Sequence, residues 1–155
     1  MGAGFFYHLT RQPLEVTLRV LLEKSLGQGW RVAVRGRSAE MLERLDAQLW
    51  LQPEDGFLPH GMAGGAHDAE QPILLTTGTG AAVNAPTCLV SVEGAQIGAE
   101  EIAPLARAMI LFDGHDPGAV QVAREQWKAL TAAGVSAQYW SEETGRWEKK
   151  AESGG

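Results

Sequence analysis

The sequence predicts an α/β domain with a largely parallel sheet and helices on both faces. Three observations carry the prediction. Short apolar runs that suit strands alternate with amphipathic stretches of helical length. The runs ILLTT, CLVSV and AMILF are apolar throughout, as strands covered on both faces are. Neither a repeat nor a linker divides the 155 residues, a length that suits one hydrophobic core.

The elements follow in order. GFFYHL, Gly4–Leu9, is the first predicted strand. A helix runs from about Pro13 to Leu26. Proline suits its first turn, and Leu14, Leu18, Leu21, Leu22 and Leu26 form its apolar stripe. Gly27 and Gly29 end it. WRVAVRG alternates Trp30, Val32 and Val34 against Arg31, Ala33 and Arg35, which is strand spacing. Ser38 is placed to cap a second helix with Glu40 in its first turn, and Met41, Leu42, Leu45 and Leu49 make that helix's buried side. Gln52–Pro72 holds too many Gly and Pro for regular structure, and a loop of this length in a compact domain is often functional. ILLTT, CLVSV and AMILF are the next strands, with a short, irregular helix expected in GAEEIAPLARA between the last two. A helix from about Pro117 to Ala133 is closed by Gly134. VSAQYW is a last strand and SEETG a turn. The tail KKAESGG is expected to be disordered, which puts the domain at residues 1–150 and a free tail at 151–155.

Composition excludes several classes. Hydrophobic residues make up 45% and charged residues 21%, as in an ordinary globular protein. The net charge of -6, without a basic stripe, argues against a protein that tracks nucleic-acid phosphates on its own. A single cysteine, Cys88, forbids an internal disulfide and fits a reducing compartment. MGAGFFYHLT has no basic, apolar leader pattern, and no apolar stretch approaches a membrane span. The expected location is the cytoplasm, without a membrane partner.

Catalytic chemistry finds little support. GTGAA after ILLTT lacks the third glycine of a dinucleotide fingerprint, because Val83 stands there, and Pro86 leaves no room for the helix that would hold a pyrophosphate. His60 and His67 share the long loop with Asp55 and Asp68, but their spacing matches no compact metal-ligand pattern. FDGHD, Phe112–Asp116, ends a strand where α/β sites commonly form; Asp113 and Asp116 suit the turn and the start of the next helix. No serine stands in a nucleophile elbow. No catalytic residue, metal or cofactor is therefore assigned. The rival reading is a small nucleotide-binding or hydrolytic enzyme that uses the GTGAA or FDGHD turns.

The most distinctive stretch is AREQWKAL. At about 100° per residue, Ala119, Val122, Ala123, Gln126, Ala129, Leu130 and Ala133 share one small, apolar side of the helix. Arg124, Trp127, Lys128 and Val120 cluster roughly 140° away, so Trp127 is not needed for the main core. It lies either flat on the surface or under a loop, or it forms a socket. An aromatic wall with two cations suits a ligand that is both hydrophobic and anionic.

FYHL at the start, GWRVAV, RLDAQLW with FLPHGMAGG close behind, and AREQWKALTAAG stand in an order and spacing that resemble the chi subunit family of bacterial DNA polymerase III. The resemblance runs along most of the chain. It implies a Rossmann-like domain without catalytic activity of its own. It also implies two protein partners. One is the C-terminal tail of single-stranded DNA-binding protein, an acidic peptide ending in Pro-Phe. The other is the psi subunit, which links the family to the clamp loader, so that DNA is met only indirectly. The family pattern assigns the tail to Arg124, Trp127 and Lys128. Val120 stands where the pattern has a further basic residue, which weakens part of the acidic contact. The psi-facing surface falls on Phe57, Pro59 and His60, although Phe57 equally suits a role in pinning the loop to its own core. Trp50 is read as structural.

Overall fold

In Ala3–Leu9 (β1) alternate side chains point to opposite faces, and both sets are covered. Phe6 belongs to one apolar cluster, whereas Phe5, Tyr7 and Leu9 belong to the other, so β1 is an interior strand. The computed structural model describes residues 2–51, 60–77 and 82–153, without the side chains of residues 50 and 51. The other strands are β2 (Val32–Arg35), β3 (Gly61–Met62), β4 (Ile73–Thr76), β5 (Cys88–Ser91), β6 (Arg107–Asp113), β7 (Ser136–Ser141) and β8 (Glu148–Ser153). They form one sheet in the order β3-β4-β2-β5-β6-β1-β7-β8. Every pairing is parallel except that of β8 with β7.

The helices are α1 (Leu14–Gly27), α2 (Ala39–Leu51), α3 (Ala99–Ile102) and α4 (Pro117–Ala132). α1 and α2 cover one face through Leu18, Leu22, Leu42, Leu45 and Leu49. α3 and α4 cover the other through Ile102, Ala123 and Leu130. Leu18 and Leu22 are wholly buried, and truncating such a leucine to alanine costs about 2–5 kcal/mol. The α/β class, the parallel sheet and the two helical layers stand as the sequence predicts.

The helix ends are legible in chemistry. Ser38 Oγ accepts from the Met41 backbone N–H at 3.2 Å, as its capping role requires. The Asp116 carboxylate accepts from the N–H groups of Gly118 and Ala119, and Pro117 fills the first turn of α4. Gly134 closes α4 with φ of 91°, a left-handed conformation that a side chain would strain.

Several expectations need correction. The long loop is not devoid of regular structure. Gly61–Met62 adds an outermost parallel strand beside β4, and Asp68–Glu70 makes a 3-10 turn. α3, by contrast, is the short helix expected in GAEEIAPLARA, a single turn. The strand predicted from WRVAVRG is β2, and all four of its residues are buried between β4 and β5. The tail is also ordered past the boundary placed at residue 150. Glu148–Ser153 pairs antiparallel with β7, and the open edge of β7 supplies backbone partners that charged side chains do not need to help.

β1 and β6 are neighbours, yet the helix after β1 lies on one face and the helix after β6 on the other. Their C-terminal ends therefore diverge into a crevice of about 690 Å³, where ligands of doubly wound sheets are commonly held. Leu9, Thr10, Arg11, Arg37, Asp113 and Asp116 are among its lining residues.

Candidate functional site

α4 presents the Trp-cation stretch at the β7 side of the sheet. Arg124 and Lys128 are exposed, and neither side chain has an ion-pair partner among the described residues. Trp127 is half-buried rather than free. Its ring meets Phe6 edge to face at 5.3 Å between centroids and Tyr139 at 6.1 Å. Val120, one turn before Arg124, is also half-buried against the same cluster. The buried line of α4 is thus Ala123, Gln126 and Leu130, with Trp127 and Val120 at its flank, while Ala129 and Ala133 face solvent. This corrects the wheel-based expectation that Trp127 stands apart from the core. A long ring reaches round the helix to apolar surface that a small residue cannot touch.

Tyr139 was not singled out in the sequence, and it completes this region. Its hydroxyl shares a 2.5 Å hydrogen bond with His8 Nδ1, and its ring also faces Phe112 and His8. Burial pushes the Tyr139 phenol up from its ordinary value, and the Arg124 guanidinium opposes that shift. Arg124 therefore stands within electrostatic reach of the hydroxyl. Gly114 makes room for His8, since a Cβ there would collide with the imidazole. Strand alternation could have put Phe6 and His8 on one face of β1. Nothing local announces that β7 lies beside it, 131 residues away.

Chemically, this surface offers one aromatic edge, two unpaired cations and a tyrosine hydroxyl, which together can hold an apolar side chain next to an anion. Cys88 is wholly buried, and burial pushes its thiol up to about 12, so it is an inert core residue.

The crevice is differently furnished. Glu142 Oε2 accepts from the backbone N–H groups of Thr10, Arg11 and Gln12 at 3.0, 3.0 and 3.1 Å, in the turn between β1 and α1. Glu93 Oε1 accepts from the N–H groups of Arg37 and Ser38 before α2 at 2.8 and 2.9 Å. Asp113 Oδ1 accepts from His115 N–H, so both aspartates of FDGHD shape the turn and the helix start. At the outer end of the same strand edge, Arg35 makes a bidentate pair with Glu101, and that hydrogen bonding holds the Glu101 carboxyl below its ordinary value.

The second predicted surface is only partly described. His60 is buried, with Nε2 3.1 Å from the Asp46 carboxylate of α2. Its side chain therefore anchors the end of the loop instead of facing solvent. Phe57, Pro59 and Asp55 lie outside the described residues, as do residues 78–81 of the GTGAA turn. Ala82–Thr87 hold no helix, and buried Asn84 donates to the carbonyls of Val32 and Gln71. Among the described residues, no three His, Cys, Asp or Glu stand together as metal ligands. No helix among them is long and apolar enough to cross a membrane.

The fold and this surface define a doubly wound, Rossmann-like α/β domain that carries an aromatic-cationic patch on its last helix. Residues 1–138 match the family model described as DNA polymerase III chi subunit, HolC, and the chain belongs to that family. It is thereby assigned to DNA replication, as a component of the DNA polymerase III holoenzyme. No curated protein matches the chain.

Proposed function

We propose that the chain is a non-catalytic adaptor of the polymerase assembly, and that α4 receives the acidic, Phe-ended C-terminal tail of single-stranded DNA-binding protein. The observation that carries this reading is the grouping of Trp127 with the unpaired cations Arg124 and Lys128 on one exposed flank. A terminal phenylalanine gains contact with the Trp127 edge, and its carboxylate takes charge-assisted hydrogen bonds from Arg124. Acidic residues upstream are drawn to Lys128. Val120 leaves one turn of the helix without a cation, so the upstream contact is weaker than a fully basic helix would give.

A psi-type subunit is the second partner, on the surface of Phe57, Pro59 and His60. His60 serves it indirectly, by anchoring the loop through Asp46, so Phe57 and Pro59 are left to bury against the partner. The protein works in the cytoplasm without cofactor, metal or membrane contact and meets DNA only through its partners. The rival nucleotide enzyme is separated by thermal shift. The adaptor is stabilised by the Phe-ended peptide and left unmoved by nucleotides, because a ligand raises the melting temperature only of a protein whose folded state binds it. Stabilisation by a nucleotide alone would favour the enzyme.

A further inference from the structure

We propose that Glu142 is a built-in anion. Its carboxylate takes the position where a phosphate would sit in the first strand-to-helix turn of a doubly wound sheet, and so it determines what that turn excludes. One oxygen, Oε2, collects three successive backbone N–H groups, those of Thr10, Arg11 and Gln12. Consecutive N–H groups aimed at one point form an anion-binding concavity, and the positive end of α1 reinforces it. Pro13, the next residue, has no N–H and gives α1 no side-chain cap. The donors of the turn are therefore already spent on the chain's own carboxylate.

Two further observations separate this from an incidental loop contact. Glu142 is only 4% exposed, so its charge is held away from water by these N–H groups. The hairpin that carries it is also fastened independently. Arg11 Nε and Nη2 both donate to the Glu143 carbonyl, and Trp147 meets Tyr7 edge to face at 5.4 Å. Glu142 lies beyond residue 138, where the family match ends. The turn Thr10–Pro13 contains no glycine, so a bulky pyrophosphate could not approach its backbone even when Glu142 is removed. The site left behind suits a small oxyanion such as formate or inorganic phosphate.

The test is chemical rescue on the full chain. Wild type, Glu142→Ala and Glu142→Gln are titrated with sodium formate and with inorganic phosphate, against sodium chloride at matched ionic strength. Melting temperature and the backbone amide shifts of Thr10, Arg11 and Gln12 are followed. Glu142→Ala should melt below wild type and recover saturably with either oxyanion, with the shifts concentrated at those three amides. Wild type and Glu142→Gln, whose turn is still filled, should respond no more than they do to chloride. Should Glu142→Ala be unfolded in plain buffer, recovery of its native spectrum on adding oxyanion supports the proposal. The same response in wild type and Glu142→Ala, or no recovery with either anion, would overturn it.

Discussion

Trp127 and Phe6 meet edge to face, with centroids 5.3 Å apart and planes inclined by 67°. Phe6 is wholly buried on the α4 face of β1, so the largest ring of the last helix is tied to the core on one edge and open on the other. The same residue can therefore support the fold and offer contact to a partner. Arg124 and Lys128 have no such anchor.

This division predicts a split between neighbouring substitutions. Trp127→Ala should lower unfolding free energy by about 2–3 kcal/mol, somewhat less than a fully buried aromatic truncation. Arg124→Ala should stay within about 0.5 kcal/mol of wild type, as surface changes do. Urea unfolding of both variants decides the matter, and equal stabilities would return Trp127 to the surface.

Glu101→Gln should be costly because it removes the carboxylate charge from the bidentate pair with Arg35, which is 3% exposed. Removing one member of a buried pair costs on the order of 3 kcal/mol. The pH dependence has a definite sign. The folded-state pKa of Glu101 is depressed, so its contribution is fully present above the ordinary carboxyl value of 4.5 and is lost as pH falls through the lower folded value. The difference between wild type and variant should shrink in that acid range. A difference that is constant with pH would assign the loss to packing.

Cys88 should resist alkylation at neutral pH in the native state, since its thiol is both inaccessible and raised to about 12. Labelling should follow global unfolding, measured as modification rate against denaturant. Rapid labelling of folded protein would contradict the buried placement.

Much of the fold is legible from short range. The apolar runs ILL and CLV and the capped helix after Asp116 need no distant partner to be recognised. What escapes is set by topology. The charged sequence EKKAES shows no apolar alternation, and it becomes β8 only because β7 leaves an edge open. Arg124, Trp127 and Lys128 are legible as a stretch, but a wheel weighs direction and not reach, so it separates Trp127 from the core and counts the exposed Ala129 on the packed side. Tyr139, His8 and Glu142 have no local signature, because their partners lie some 130 residues away along the chain.

The adaptor reading rests finally on the α4 surface, and calorimetric titration with an acidic peptide ending in Pro-Phe tests it most directly. One aromatic contact and a few charge-assisted hydrogen bonds should give micromolar affinity, about -8 kcal/mol. Arg124→Ala should weaken it by about 1.5–3 kcal/mol through loss of a hydrogen bond to a charged group. Lys128→Ala should weaken it less, and added salt should lower affinity, because exposed ion contacts are screened. Deleting the terminal phenylalanine should remove most of what remains. Equal affinity for wild type and Arg124→Ala, or no binding by wild type at low salt, would contradict the account and leave the two cations as a solvated helix face.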